Sequence, residues 1–69
     1  MTLSMANTGE AFQIKKIGGK EETRQFLAKL GFVAGRNVTV VSDSNGSMVV
    51  SVKDSRVAIG RDLANKIMV

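Results

Sequence analysis

The stretch FLAKLGFVAGRNVTVV, residues 26–41, changes from the apolar spacing of a helix to the alternation of a strand. The helix is predicted over KEETRQFLAKL. Its apolar face consists of Thr23, Phe26, Leu27 and Leu30. Gly31 fits the left-handed position that follows a helix, and Gly35 fits a turn position that needs a positive φ. A helix therefore leads through a tight corner directly into a strand, which restricts the folds open to so short a chain.

Short strands joined by tight turns make up most of the remaining chain. AFQIKKI, residues 11–17, alternates like a strand but bends near its end, because Ile17 arrives after one extra residue. Turn signals occur at Asn45-Gly46 and in KDSR, where Asp54 or Ser55 tolerates tight geometry. The segments that these turns separate are NVTVVS, SMVVSV, RVAIG, one helical turn in RDLANK and a closing strand in KIMV.

This order of strand, helix, three strands, short helical turn and strand predicts a mainly β protein, a small SH3-like barrel with one helix. Closure is favoured because it removes exposed sheet edges. The helix would cover one open end with Phe26, Leu27 and Leu30, and Phe12 is expected in the core. The alternatives are an OB-like barrel and an open antiparallel sheet with one helix. At 69 residues, the chain is predicted to be a single domain, residues 1–69.

Catalysis and direct metal binding are both poorly supported by the residue types present. Without histidine or cysteine, the usual base of a nucleophilic triad and the common zinc ligands are missing. The segment GGKEET lacks the first glycine of a phosphate-binding loop. We therefore expect no catalytic residue, no cofactor and no bound metal. Glu21 and Glu22 are adjacent on the helix and suit a solvated helix start better than a shared ion. The candidate oxygen ligands are Glu10, Glu21, Glu22, Asp43, Asp54 and Asp62.

The charge balance favours acidic partners. Ten basic and six acidic side chains give a net charge of +4, with Lys15-Lys16 the only adjacent basic pair. A small nucleic-acid-binding barrel is the alternative function, although three phenylalanines offer few stacking platforms for bases. Weak self-association through an uncovered strand edge is a third hypothesis. No apolar run is long enough to span a membrane and the N-terminus does not look like a signal peptide, so a cytoplasmic protein is predicted.

Three features of the chain resemble the family of ferrous iron transport protein A, the FeoA domain. Gly9 precedes AFQIKKI, as a glycine precedes the first strand of the family. LAKLGFVAGRNVTVV resembles the central corner of the family, with its leucine-glycine-apolar step and second glycine. The resemblance extends from Leu3 to Val69. The apolar spacing of the family's tail is matched by Ile59, Ala64, Ile67 and Val69.

The resemblance implies a small cytoplasmic accessory protein of bacterial ferrous iron uptake, with no enzymatic activity of its own. The implied partner is the FeoB-type ferrous iron permease, whose cytoplasmic region bears a GTPase domain. Binding would modulate the assembly or activity of that permease. The chain would then reach the inner face of the membrane through its partner, and no nucleic acid is expected.

The corner after the helix is the expected contact surface. Phe32, Val33 and Arg36 place an apolar pair beside a cation on a tight loop, which suits an acidic, grooved partner. Phe32 has an alternative role, because a Schellman motif would place it against the last turns of the helix. Arg24 and Lys29 are expected on the outer helix face, where they either steer a partner or form a solvated surface.

Overall fold

Six strands and two helices follow a short 3₁₀ turn in the computed structural model, which describes residues 1–69. The predicted order of elements is confirmed, except that the first predicted strand is present as two shorter ones. The helices are α1 (Glu21–Leu30) and α2 (Arg61–Ala64), and the 3₁₀ turn covers Leu3–Met5. The strands are β1 (Ala11–Gln13), β2 (Lys16–Ile17), β3 (Asn37–Ser44), β4 (Ser47–Val52), β5 (Ser55–Gly60) and β6 (Ile67–Met68).

Backbone hydrogen bonds divide the strands into two sheets rather than one closed barrel. One antiparallel sheet has the order β1-β3-β4-β5, and β2 and β6 form a separate two-stranded ribbon. The division falls at Ile14, whose N–H donates to the Arg36 carbonyl (2.9 Å) and whose carbonyl accepts from the Gly35 N–H (2.7 Å). Because Ile14 is bonded to the corner, the chain bends there between β1 and β2. The predicted bend is confirmed, whereas the expected closure of the sheet is incomplete.

Both predicted hairpin turns are present and each has two residues. Gly46 has a φ of 80° in the turn between β3 and β4. In the turn between β4 and β5, Lys53 and Asp54 both have positive φ values, 52° and 61°. Asp54 was expected in such a conformation, but Lys53 was not. A two-residue turn with two left-handed positions matches the right-handed twist of the strands it joins, which explains why Lys53 is drawn into it.

The core is one cluster of buried apolar residues between the sheet, the ribbon and α1. Alternate residues of β3 and β4 point into it, so the alternation predicted for these strands is confirmed. Leu3 is fully buried, although no structure was predicted for its segment, and Phe12 is half-buried against the cluster. The buried members are Leu3, Ala6, Ile14, Leu27, Phe32, Val38, Val40, Met48, Val50, Val52, Ile59, Ala64, Ile67 and Val69.

Helix α1 contributes less to this core than its sequence predicts. Leu27 is fully buried and Leu30 half-buried, but Phe26 is 50% exposed, so its predicted place in the core is wrong. Successive residues of a helix are 100° apart, and a helix that points Leu27 inward therefore leaves Phe26 at the margin of its buried stripe. No helix in the chain combines the length and the apolar character that a membrane crossing requires.

Candidate functional site

The corner after α1 is built on a Schellman motif. The Phe32 N–H donates to the Leu27 carbonyl (2.9 Å), the Gly31 N–H donates to the Ala28 carbonyl (3.0 Å), and Gly31 has a φ of 107°. This hydrogen bonding confirms the predicted end of the helix. It also turns Phe32 into the core, where the side chain is 1% exposed beside the buried Leu27. Phe32 is therefore not accessible to a partner in this structure. It has instead the alternative role predicted for it, packing at the end of the helix.

Val33 and Arg36 are the members of the predicted corner that reach the surface, both half-buried. The Arg36 Nη1 donates to the Gly31 carbonyl (3.1 Å), which places a cation at the carboxyl end of α1, where the helix dipole favours it. Lys53 lies at the same end, since a Cβ added to Gly31 would be 3.5 Å from the Lys53 Cβ. The corner thus combines a small apolar surface at Val33 with positive charge.

Arg24 and Lys29 are both exposed, as predicted, but the helix does not bring them together. Five positions along an α-helix correspond to about 140° of rotation, so the two side chains lie on different flanks of α1. Lys29 lines a surface groove, and Arg24 does not. If charge steers a partner to this helix, the two cations do so from separate sides.

The groove lies between α1 and α2 and has a volume of about 420 Å³. Phe26, exposed on α1, and Leu63, half-buried on α2, form its apolar part. Glu22 and Lys29 lie seven residues apart on α1, or about 10 Å along the axis, so the groove carries an acidic and a basic end. Its lining residues are Glu22, Thr23, Gln25, Phe26, Lys29 and Leu63.

The position of α2, and with it the wall formed by Leu63, depends on a small polar network. The Arg61 Nη1 donates to the Ser4 carbonyl (3.1 Å), and its Nη2 forms an ion pair with Asp43 (2.6 Å). The Ser4 hydroxyl donates to the Asn65 side-chain oxygen just after α2. These contacts connect α2 to the 3₁₀ turn and to β3, so elements outside the groove hold its Leu63 wall in position.

Phe26 and Leu63 are the surface residues that the sequence did not indicate. Phe26 was assigned to the core by its place in the apolar stripe, and Leu63 lies in a helical turn for which no facing partner was predicted. A signal was nevertheless present, because Phe26 and Lys29 are only about 60° apart on the helix. An aromatic residue that close to a charged position sits at the boundary between core and solvent.

Comparisons with known proteins all identify the same family. A family model described as the FeoA domain matches residues 1–69. A protein of Methanocaldococcus jannaschii named "Putative Fe(2+) transport protein A" is 40% identical over 67 residues, which are 97% of this chain and 82% of that protein.

Solved structures with the same fold include the crystal structure of an iron uptake regulatory protein, FeoA. It has a TM-score of 0.91 at 28% identity and covers 97% of this chain and 91% of its own. The zinc complex of Stenotrophomonas maltophilia FeoA, described as a procaryotic SH3 domain protein, has a TM-score of 0.85 at 23% identity over 99% of this chain and 87% of its own. The predicted SH3-like fold is thus confirmed.

Proposed function

The chain belongs to the FeoA domain family, and on that premise we propose that it is a non-enzymatic accessory of ferrous iron transport. It acts by binding the FeoB-type permease and thereby modulates the assembly or activity of that permease. The observation that carries this proposal is the exposed Phe26 in the groove between α1 and α2. A half-exposed aromatic side chain beside a second apolar residue is a typical anchor point for a protein partner.

Physical features of the groove support a protein rather than a nucleic acid as its occupant. Binding of single strands needs several exposed aromatic side chains for stacking, and Phe12 and Phe32 are half-buried and buried. The acidic Glu22 at one end of the groove would repel a phosphate backbone. An apolar side chain of a protein, flanked by one acidic and one basic residue, complements both ends of the groove.

The proposed effect on iron passes through the partner and not through a site on this chain. No group of three histidine, cysteine, aspartate or glutamate side chains is placed to hold a metal ion. The proposed place of action is the cytoplasmic face of the membrane, reached by contact with the GTPase-bearing region of the permease.

The test is isothermal titration calorimetry with the purified permease in detergent and, separately, with its cytoplasmic region. The unmodified chain is expected to bind. Phe26→Ser removes the aromatic anchor and is expected to weaken binding at least about tenfold, a loss common for buried aromatic contacts. Met5→Ser is the control, because Met5 is also an apolar side chain, 71% exposed and outside the groove.

Each result has a separate consequence. Absence of binding by the unmodified chain to either form of the permease would refute the proposed function. Binding that survives Phe26→Ser unchanged would retain the function but move the contact away from the groove. In that case Val33→Ser, which alters the corner without touching the core, is expected to weaken binding instead, with Arg36 as the neighbouring cation.

A further inference from the structure

Four lysines gather at the amino-terminal end of α1, on the side of the molecule formed by the β2–β6 ribbon. We call these residues, Lys15, Lys16, Lys20 and Lys66, the lysine face. All four side chains are exposed, and the molecule's single ion pair lies elsewhere, between Arg61 and Asp43. Their charges are therefore not neutralised by a bonded carboxylate.

Backbone pairing holds the members of the lysine face close to one another. Lys16 pairs with Met68 across the ribbon, so these two side chains lie on the same side of it. The Lys15 N–H donates to the Met68 carbonyl (2.8 Å), and Lys66 lies in the turn directly before β6. Ile67, which lies between Lys66 and Met68 in sequence, is fully buried. The backbone thus holds three of the lysines close to the half-buried Met68.

The loop between β2 and α1 brings the fourth lysine alongside. The Gly18 N–H donates to the Lys66 carbonyl (2.6 Å). A Cβ added to Gly19 would lie 3.4 Å from the Lys66 Cδ, so the stem of Lys66 passes over this glycine. Lys20 is the next residue, immediately before the helix. The aliphatic part of Lys66 is therefore held against the loop while its ammonium group extends to solvent.

The lysine face holds four of the ten basic side chains, in a chain whose net charge is +4. Glu21 and Glu22 follow Lys20 directly, yet an excess of two positive charges remains even if both are counted with the face. Glu22 lines the groove on α1.

We propose that the lysine face docks the protein on anionic lipid, independently of any protein partner. All four cations are lysines, which act as mobile, hydrated point charges, whereas arginine is the usual choice for fixed, bidentate recognition. None of the four lysines lines the groove, so their surface suits an extended field of negative charge better than a single shaped ligand. Each basic residue near an anionic leaflet strengthens binding about fivefold.

The test is sedimentation with vesicles of phosphatidylcholine, with and without about 30% phosphatidylglycerol as the anionic lipid. The chain is expected to sediment with the anionic vesicles only, and progressively less as salt rises from about 50 to about 300 mM. Lys16→Gln combined with Lys66→Gln is expected to reduce the partition coefficient about 25-fold. Circular dichroism verifies that this variant stays folded.

A matched control variant removes two positive charges outside the lysine face. Lys53→Gln combined with Arg56→Gln also lowers the net charge by two, but Lys53 lies beside the far end of α1, about 15 Å from Lys20. This variant is expected to lose less than about threefold, since the intervening distance exceeds the Debye length of about 10 Å at 0.1 M salt.

Four results would overturn the proposal. The first two are sedimentation without a preference for phosphatidylglycerol, and equal losses of binding in the two charge-matched variants. The third is tighter binding to a DNA oligonucleotide than to anionic vesicles in the same buffer. The fourth is a loss of binding when Lys16 and Lys66 are both replaced by arginine. Retained binding in that arginine variant is expected, because a field of charge does not require a particular side-chain shape. The vesicles contain no protein, so failure here leaves the proposed permease contact untouched.

Discussion

Gly31 determines, as a single residue, how the helix gives way to the strand. Its φ of 107° is in the left-handed region, and its N–H completes the Schellman motif through the Ala28 carbonyl. An added Cβ would meet its nearest atom, the Arg36 Nη1, at 3.5 Å, an ordinary contact. The constraint at this position is therefore backbone conformation and not lack of space.

Gly31→Ala is accordingly expected to lower the free energy of unfolding by about 1–2 kcal/mol, the cost of a side chain in left-handed backbone. In a chain of this size that corresponds to a fall in the melting temperature of roughly 4–16 °C. Gly18→Ala is the control, because Gly18 has no positive φ and an added Cβ would meet its nearest atom at 3.5 Å. Thermal unfolding that is equally affected by both substitutions would contradict this account of the corner.

The residue scale is also where the sequence was most informative. A glycine placed between a helix pattern and a strand pattern predicts its own conformation, and the positive φ values of Gly31 and Gly35 confirm it. The role of Phe32 could not be predicted so directly. A Schellman motif favours an apolar residue at this position, but an apolar residue on a loop also suits a partner contact. Sequence spacing alone left both roles open.

At the scale of the element, helix α1 carries one residue that stabilises the core and a neighbouring residue that lies at the surface. Leu27 is fully buried at the centre of its inward stripe, whereas Phe26 borders the groove with half of its surface exposed. The apolar pattern of the helix predicted both as core residues. A periodic pattern gives the width of an apolar stripe, but the neighbouring elements decide which edge of the stripe is covered. The sequence predicted α2 and β6 without indicating where they pack against α1.

Leu27→Ala is expected to lower the free energy of unfolding by about 2–5 kcal/mol, through lost burial and the cavity left behind. That loss approaches the whole stability of so small a core, about 3–5 kcal/mol, so much of the variant should be unfolded. Phe26→Ala is expected to change stability by less than about 1 kcal/mol, because alanine's higher helix propensity offsets part of the lost contact. Urea unfolding followed by circular dichroism distinguishes them, and a larger loss for Phe26→Ala would return Phe26 to the core.

On the scale of the whole molecule, the order of elements was predictable but the division of the sheet was not. Hairpin turns and alternating strands identified β3, β4 and β5, whose pairing is local in sequence. The break at Ile14 depends on hydrogen bonds to Gly35 and Arg36, more than twenty residues away, and no local pattern reports such contacts. The buried Leu3 likewise depends on a contact distant in sequence, since its neighbour Thr2 pairs with Met68 of β6.

The same architecture disperses the acidic side chains, and this leads to a prediction about iron. Asp43 is held by Arg61, and no three aspartate or glutamate side chains come together to hold a metal ion. Ferrous iron added without oxygen at about 100 µM is therefore expected to leave the melting temperature unchanged, whereas a ligand at about 100 times its dissociation constant would stabilise the fold by about 2.7 kcal/mol.

Scanning calorimetry of the complete chain measures this effect, with magnesium at the same concentration as the control for ionic strength. A stabilisation of about 2.7 kcal/mol would raise the melting temperature by more than about 10 °C in a chain this short, so the two outcomes are well separated. The contrary outcome is a rise in the melting temperature that iron produces, that magnesium does not produce and that a chelator reverses. It would mean that carboxylates distant from one another in the free fold converge around the ion. The chain would then carry iron itself, and its influence on transport would no longer need to pass through the groove at Phe26.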